Sequence, residues 1–331
     1  MVPASRFRVC NRESDSRVGE NGIHMTASPI VGRFAPSPTG PLHFGSLVAA
    51  VGSYCLARRA GGRWLLRMDD LDRPRVVPGA AEEILHTLEA LGFAWDGPVV
   101  WQSGRGEAYG AALERLRQQG QLYDCACSRR EILASAPHPG EEGPVYPGTC
   151  RQGLPAGRAP RAVRIRVPDR EILFADGVFG RQAQNLAQEV GDFVLRRADG
   201  MYAYQLAVVV DDAASGVNQV VRGADLLGST PRQIFLLESL GLPVPAYLHL
   251  PLVLNADGSK LSKRHGDDDS PQAWSGGGQL CKALRWLGQS VPAELEQAPP
   301  AEVLAWGAET FEAGGIPAVT EIAVDSGGKS R

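Results

Sequence analysis

Residues 32–46 read GRFAPSPTGPLHFGS, and the fold is decided around this stretch. The partly apolar segment Pro29–Phe34 predicts a short strand, and the proline- and glycine-rich residues that follow it predict a loop. A continuous stretch from Leu42 to Arg59 then has a helix-compatible composition and stops at Gly61-Gly62. The sequence therefore predicts a strand that leads through a loop into a helix.

The same alternation of strand and helix continues downstream. Arg63–Met68 predicts a second strand, and Pro78–Leu91 predicts a helix with proline near its first turn. Later strands are expected at Val217–Val221 and Leu248–Leu254, with a helix at Ser229–Leu240 between them. Alternation of this kind favours an α/β fold with a doubly wound parallel sheet.

The middle of the chain departs from this alternation. Residues 123–160 combine cysteine, glycine and proline with few long apolar runs, which indicates an insert into the main sheet. After the insert, Phe193–Arg196 and Tyr202–Val210 flank an Asp199-Gly200 turn and predict a hairpin or a long bent strand pair.

Composition narrows the class of protein. The chain has 331 residues, of which 44% are hydrophobic and 21% charged, and this excludes a disordered chain, a coiled coil and a collagen-like fibre. No run approaches the roughly 18 apolar residues of a membrane span, and residues 1–30 carry no secretory signal, so we expect a cytoplasmic protein. The net charge of −3 excludes a surface covered with basic residues, and any RNA contact should use a local patch.

The loop that opens the first helix is a candidate phosphate site. A helix N-terminus carries unpaired N–H groups and partial positive charge, which attract phosphate. Gly40 and Gly45 would allow close approach to the backbone, while His43 and Ser46, three residues apart, lie on one helical face. The alternative is a proline-rich loop in which the histidine only caps the helix.

Two of the four lysines in the chain, Lys260 and Lys263, stand three positions apart in the segment KLSKR at 260–264. Cations on such a loop suit the stabilisation of charge on a phosphoryl group in transfer. An exposed basic loop is the alternative, although the scarcity of lysine elsewhere argues against a chance pair.

Three of the six cysteines, Cys125, Cys127 and Cys150, lie within 26 residues of one another. Without an export signal, such clustering favours a metal over disulfides. Structural zinc takes four ligands, and composition alone makes His138 the obvious fourth. The alternative is an insert with three reduced thiols and no metal.

Taken together, these motifs resemble the class I aminoacyl-tRNA synthetases. The segment His43-Phe-Gly-Ser46 resembles their HIGH signature, and KLSKR at 260–264 resembles their KMSKS loop, with serine in place of the second histidine and leucine in place of methionine. GRFAPSPTG at 32–40 and VRGAD at 221–225 are similar to the glutamyl branch. The resemblance covers about residues 30 to 265.

This resemblance implies a division of the chain. Residues 1–29 would be a disordered arm or an overlong start, and 30–269 a class I catalytic domain with a zinc-bearing insert at about 105–190. A short, partly helical tail would follow at 270–331. These residues after the KLSKR segment leave no room for the helical anticodon-binding domain of a full-length glutamyl-tRNA synthetase.

The resemblance also supplies candidate roles. His43, Ser46, Lys260 and Lys263 would be catalytic, and His43, Gly45, Ser46 and Lys263 would bind ATP together with Mg²⁺. The glutamate-binding residues would be Arg33, Phe34, Ala35, Pro36, Ser37, Asp69, Tyr204 and Arg222. Asp69 stands where the family more often has glutamate. Within the family the zinc ligands follow the pattern Cys-x-Cys and then Tyr-x-x-x-Cys, which implies Cys125, Cys127, Tyr146 and Cys150 rather than His138.

The chemistry implied is the activation of L-glutamate to glutamyl-adenylate. Among the glutamyl branch, the chain is most similar to short members that lack the anticodon-binding domain. That similarity implies transfer of glutamate to queuosine in the anticodon loop of tRNA(Asp). Three alternatives stay open: a truncated glutamyl-tRNA synthetase that charges a tRNA 3′ end, an HxGH-type nucleotidyltransferase acting on another small acid, and a non-catalytic zinc RNA-binding protein. The sequence leaves the oligomeric state open, a monomer included.

Overall fold

A computed structural model describes residues 29–135, 139–140, 143–254 and 277–323. The strands are β1 Val31–Phe34, β2 Arg63–Met68, β3 Val100–Trp101, β4 Leu122–Cys125, β5 Pro139–Gly140, β6 Gly143–Pro144, β7 Ala162–Ile165, β8 Glu171–Asp176, β9 Gly180–Asn185, β10 Val194–Arg196, β11 Gln219–Gly223, β12 Ala246–Leu250, β13 Leu252–Leu254 and β14 Glu321–Ala323. The helices are α1 Phe44–Arg59, α2 Ala80–Ala90, α3 Gly106–Gln118, α4 Arg129–Ser135, α5 Leu186–Glu189, α6 Tyr204–Ala214, α7 Thr230–Ser239, α8 Gly278–Trp286 and α9 Pro300–Thr310.

Parallel strands form the centre of the molecule. β1, β2 and β3 pair in that order, all parallel, and β11 pairs with β12 in parallel, as does β12 with β8. β1 lies beside β11, because the Val31 N–H donates to the Asn218 side-chain oxygen at 2.8 Å and the Asn218 N–H donates to the Val31 carbonyl at 3.1 Å. The predicted α/β architecture with a parallel sheet is confirmed.

Helix α1 is the central helix of the core. It contacts β1, β2 and β11 and also packs against α8 and α9. Small buried residues such as Ala50, Gly52 and Ser53 let the neighbouring elements approach it closely. Its apolar residues are spread around the axis rather than confined to one stripe, as expected for a helix covered on several sides. The residues of α8 and α9 therefore belong to the same hydrophobic core as β1 and β2.

Tyr202 pairs antiparallel with Arg196 across the predicted turn, but the predicted second strand is wrong from Tyr204 onward, because helix α6 begins there. The run of valines at 208–210 has a high strand propensity, but tertiary packing overrides that preference. The helix buries Leu206 and Val209, and it carries Asp211 and Asp212 into the interior. Asp211 accepts hydrogen bonds there from the Tyr109 hydroxyl at 2.7 Å and from Gln102 Nε2 at 3.0 Å.

Within the described residues, no helix is both long and apolar enough to cross a membrane.

Candidate active site

A cavity of about 470 Å³ opens at the carboxyl ends of β1, β2, β11 and β12. In parallel α/β sheets this edge is where ligands bind. The cavity brings together every predicted site residue of the described chain other than the metal ligands: Arg33, Phe34, Ala35, Pro36, Ser37, His43, Gly45, Ser46, Asp69, Tyr204 and Arg222. The predicted Lys260 and Lys263, like the alternative metal ligand His138, lie outside the described residues.

The loop between β1 and α1 is fixed by backbone hydrogen bonds to its neighbours. The Asp69 N–H donates to the Pro36 carbonyl at 3.0 Å, and the Val77 N–H donates to the Pro38 carbonyl at 3.0 Å. Within the loop, the Thr39 N–H donates to the Ser37 carbonyl at 2.8 Å. These bonds connect the loop to the residues that follow β2, which supports a preorganised site.

His43 caps helix α1 and also faces Ser46. The Ser46 N–H donates to His43 Nδ1 at 3.2 Å, and the Ser46 hydroxyl lies 3.1 Å from His43 Nε2. Because Nδ1 accepts, a neutral ring carries its proton on Nε2. A Cβ at Gly45 would lie 3.1 Å from His43 Nδ1, a close contact that the imidazole would have to relieve by moving a few tenths of an ångström. The imidazole, the hydroxyl and the helix N-terminus line the same end of the cavity.

A buried ionic network also borders the cavity, which Arg33, Arg67 and Asp69 line. Arg33 Nε donates to Asp212 Oδ1 at 3.3 Å, and the Arg33 side chain also reaches the Val221 carbonyl at 3.2 Å. Arg67 bridges Asp212 and Asp69, with its Nε 2.6 Å from Asp69 Oδ1. Burial alone would raise the pKa of Asp212, but the two guanidinium groups outweigh it and hold that pKa below its usual range. Arg33 and Arg67 therefore both have acidic partners within the protein.

Arg222 is different, because its partners are neutral. Its guanidinium is buried and donates to His249 Nε2 at 3.1 Å, to Gln233 Oε1 at 2.7 Å and to Thr230 Oγ1 at 2.7 Å. A fourth bond reaches the Leu226 carbonyl at 3.3 Å. Across the described ranges, no acidic side chain forms a salt bridge with it. A buried cation without a carboxylate partner attracts an anionic ligand.

Tyr204 completes the cavity at the first residue of α6. Its side chain is 38% exposed, and its hydroxyl makes no hydrogen bond to any residue of the described segments. It is therefore available to a ligand in the cavity.

The predicted metal ligands also come together, in the insert that follows β4. The sulfurs of Cys125, Cys127 and Cys150 all lie within 4.8 Å of one another, and the Cys127 and Cys150 sulfurs are 3.6 Å apart. The Tyr146 hydroxyl lies 3.4 Å from the Cys125 sulfur and 3.7 Å from the Cys127 sulfur. Two sulfurs at about 2.3 Å from a tetrahedral zinc ion would be about 3.8 Å apart, so this set of donors fits zinc.

Several residues around the cavity were not predicted from the sequence: Arg67, Asp212, His249 and Asp176. The sequence contains a feature that could have identified Asp212 and His249. Asp211-Asp212 directly follows an apolar run, and His249 interrupts another at residues 247–254, so both are polar groups in segments that should be buried. Such residues need partners: Asp212 pairs with Arg33 and Arg67, and His249 accepts from Arg222.

Comparison with known proteins places this geometry in a family. Residues 29–284 match the family described as tRNA synthetases class I (E and Q), catalytic domain. The chain is 58% identical over 298 residues to a glutamyl-Q tRNA(Asp) synthetase of Geobacter sulfurreducens, covering 87% of this chain and 94% of the relative. It is 60% identical over 292 residues to the protein of the same name from Dechloromonas aromatica, with 86% of this chain and 96% of the relative covered.

Solved structures agree with this assignment. A crystal structure of a glutamate tRNA ligase from Elizabethkingia meningosepticum, in complex with its amino acid, superimposes with a TM-score of 0.71 at 27% identity. The superposition covers 88% of this chain and 66% of that chain. The fold and the site define a class I tRNA synthetase catalytic domain. The chain belongs to the glutamyl and glutaminyl (E and Q) family of these enzymes.

Proposed function

We propose that this protein activates L-glutamate with ATP and transfers the glutamyl group to queuosine in the anticodon loop of tRNA(Asp). The observation that carries the proposal is the identity of 58% and 60% to relatives named glutamyl-Q tRNA(Asp) synthetase, across nearly their whole length. The cavity supports it, because it combines a buried, unbalanced cation with a helix N-terminus suited to phosphate. A cytoplasmic location, where tRNA is found, is part of the same proposal.

Glutamate would bind with its side-chain carboxylate toward Arg222. A planar guanidinium matches a carboxylate better than other cations do, and this one is buried without an acidic partner. The glutamate ammonium would lie toward Asp69, and the Tyr204 hydroxyl would hydrogen-bond the substrate. Because Arg67 holds the Asp69 carboxylate at 2.6 Å, that carboxylate has a fixed orientation toward the cavity.

ATP would bind across the N-terminus of α1. His43 Nε2–H and the Ser46 hydroxyl are donors there, and Gly45 leaves room for the phosphates. Lys263, assisted by Lys260, would neutralise charge that develops on the phosphates, and Mg²⁺ would enter with ATP as part of the substrate.

The proposed reaction has two steps, formation of the adenylate and transfer of the glutamyl group. An oxygen of the glutamate α-carboxylate forms a bond to the α-phosphorus of ATP, the bond from that phosphorus to the bridging oxygen breaks, and pyrophosphate leaves. A hydroxyl of the queuosine cyclopentenediol then attacks the activated carbonyl, loses its proton and expels AMP. The protein supplies position and charge rather than covalent chemistry.

Lys263→Ala should abolish glutamate-dependent ATP–pyrophosphate exchange, because the ATP phosphates lose one of the two lysines predicted to neutralise their charge. We expect a fall in kcat of at least about a hundredfold. Lys282→Ala is the matched control, since it removes the same charge from α8, where the ammonium lies 4.6 Å from the Phe44 ring centre. Exchange that persists unchanged in Lys263→Ala would refute the assignment of this lysine.

The exchange assay also tests the activation step itself. Run with each amino acid, it should give a signal with glutamate and no other. Exchange with a different acid would favour a nucleotidyltransferase, and a lack of exchange with all of them would favour a non-catalytic RNA-binding protein.

We further infer that β1 joins β11 in a single doubly wound sheet.

We also infer that one structural Zn²⁺ is bound by Cys125, Cys127, Tyr146 and Cys150. A zinc ion with these four ligands would cross-link and stabilise the insert. Two contacts would stabilise negative charge on a metal-bound Tyr146 oxygen. The Cys150 N–H donates to that oxygen at 3.0 Å, and the Arg164 guanidinium lies 3.8 Å from the Tyr146 ring centre.

Gly191→Ala should weaken this zinc site without touching a ligand. Gly191 has φ = +74°, and a Cβ there would lie 2.7 Å from both the N and the O of Tyr146. Gly216→Ala is the matched control, because its φ is +70° and nothing lies within 4 Å of the added Cβ. Both variants carry a backbone penalty of about 1–2 kcal/mol, and only Gly191→Ala should also lose zinc, measured as metal content after dialysis. Equal zinc content in the two variants would contradict this expectation.

A further inference from the structure

Behind the cavity, Arg222 belongs to a chain of three buried side chains. Arg222 Nε donates to His249 Nε2 at 3.1 Å, and His249 Nδ1 lies 2.6 Å from Asp176 Oδ2. Both the imidazole and the carboxyl side chain are fully shielded from solvent. His249 lies on β12 and Asp176 at the end of β8, so two strands of the parallel sheet fix the geometry.

These contacts define the proton positions on His249. Nε2 must accept from Arg222, so the ring proton must be on Nδ1, where it is donated to Asp176. Burial and the Arg222 charge lower the pKa of His249, despite the neighbouring carboxylate. Burial alone would raise the pKa of Asp176, but bonds from His249 and from the N–H groups of Val178 and Phe179 lower it. A neutral imidazole and an ionised carboxylate agree with this pattern.

We propose that Asp176 and His249 are positioning residues: they fix the imidazole tautomer that orients the Arg222 guanidinium toward the glutamate side chain. This inference rests on the proposed function of Arg222. The guanidinium has five N–H donors, and its four bonds to His249, Gln233, Thr230 and Leu226 leave one of them. Gln233 is itself held by Gln205 at 2.9 Å, so that remaining donor has a defined direction. Neither Asp176 nor His249 lines the cavity.

Asp176→Asn is the decisive variant. Asp176 Oδ1 accepts the N–H groups of Val178 at 2.9 Å and of Phe179 at 3.0 Å, and an asparagine oxygen would keep both bonds. The asparagine NH₂ must then face His249 Nδ1, which moves the ring proton to Nε2. The His249 Nε2–H could then donate to the Thr230 hydroxyl oxygen, which lies 3.1 Å away, but the Arg222 Nε–H would face a second donor and lose its acceptor. The variant preserves shape and backbone contacts while reversing the tautomer.

The expected result is a rise of about tenfold to a hundredfold in the KM for glutamate, with kcat within about threefold of wild type. Arg222 contacts a part of glutamate that does not react, so ground state and transition state should lose the same binding energy. The KM for ATP should not change. A merely structural role would lower the active fraction and therefore kcat, and would leave the KM for glutamate unchanged. That outcome would overturn the proposal.

Two substitutions of His249 form a matched pair. His249→Gln places an amide oxygen near the position of Nε2, where it can accept from Arg222. His249→Asn reaches Asp176 but not Arg222. We expect a KM for glutamate close to wild type in the first and at least about tenfold higher in the second. In the His249→Gln background, Asp176→Asn should have little further effect, because an amide oxygen has no tautomer to reverse. Additive effects of the two substitutions would count against the mechanism.

The tautomer of His249 can also be measured directly in the wild-type protein, without a variant or an activity assay. The imidazole ¹⁵N shifts of His249 in the wild-type protein should report the neutral Nδ1–H form at neutral pH, and an Nε2–H form or an imidazolium would overturn the proposal. Different results would refute the proposed function and the positioning role of Asp176. If the wild type shows no glutamate-dependent exchange, the proposed function is wrong; if the wild type is active and Asp176→Asn has an unchanged KM, only the positioning role is wrong.

Discussion

Arg222→Met is expected to lower kcat/KM for glutamate by at least about a hundredfold in ATP–pyrophosphate exchange. Methionine keeps an unbranched apolar chain that ends near the position of Nε, so the variant loses the guanidinium head with its buried positive charge and its donors. The glutamate carboxylate would then enter a desolvated pocket without a cation. Removal of one partner from a buried, hydrogen-bonded charge pair typically costs about 2–5 kcal/mol.

The discrimination between glutamate and glutamine provides a second readout. Glutamine has nearly the same shape and no side-chain charge, so its use should depend far less on Arg222. The preference for glutamate over glutamine should therefore collapse in Arg222→Met, a change that partial unfolding cannot produce. Arg232→Met is the matched control, because Arg232 lies on α7 outside the cavity, and its kcat/KM should stay within about threefold of wild type. An unchanged preference for glutamate in Arg222→Met would place the substrate carboxylate elsewhere.

Cys127→Ser should remove zinc and destabilise the insert. We expect metal content to fall from one zinc per chain to less than about a tenth, because a serine hydroxyl is a poor substitute for a thiolate ligand. A structural zinc ion contributes directly to folding, so the free energy of unfolding should fall by at least about 3 kcal/mol, or about 4 °C in Tm.

A cysteine outside the cluster serves as the control for this variant. Cys281 is fully buried in the core that contains α1 and α8, so Cys281→Ala should lose packing but keep its zinc. Protein prepared without chelator and found to be free of metal would contradict the zinc assignment. In that case the donors at 3.4–3.7 Å would be a hydrogen-bonded cluster of thiols and a phenol.

The phosphate-binding part of the candidate site could be predicted from the sequence because its residues are close neighbours in the chain. The turn residues of 35–41 and the helix that follows determine where His43, Gly45 and Ser46 lie relative to one another. The Cys-x-Cys pair is local in the same sense. Tyr146 and Cys150 are four residues apart, and the family pattern supplied Tyr146 where composition favoured His138.

The rest depends on tertiary structure. Residues 204–214 form α6 although their valines favour a strand, because the helix brings Asp212 to Arg33 and Arg67. Those partners are separated by 179 and 145 residues in the chain, so no local pattern reveals the pairing. Arg222 was assigned from resemblance alone; only the structure distinguishes it from Arg33 by the neutrality of its partners.

Labelled glutamate and three forms of tRNA(Asp) can show whether this protein transfers glutamate to queuosine. These are the tRNA that contains queuosine, the same tRNA lacking its 3′-terminal adenosine, and the transcript with guanosine in place of queuosine. We predict that label enters the first two and not the third, and that nuclease digestion releases it on the queuosine nucleoside. Label that requires the 3′ adenosine and enters the guanosine transcript equally would contradict transfer to queuosine and identify an enzyme that charges the tRNA 3′ end.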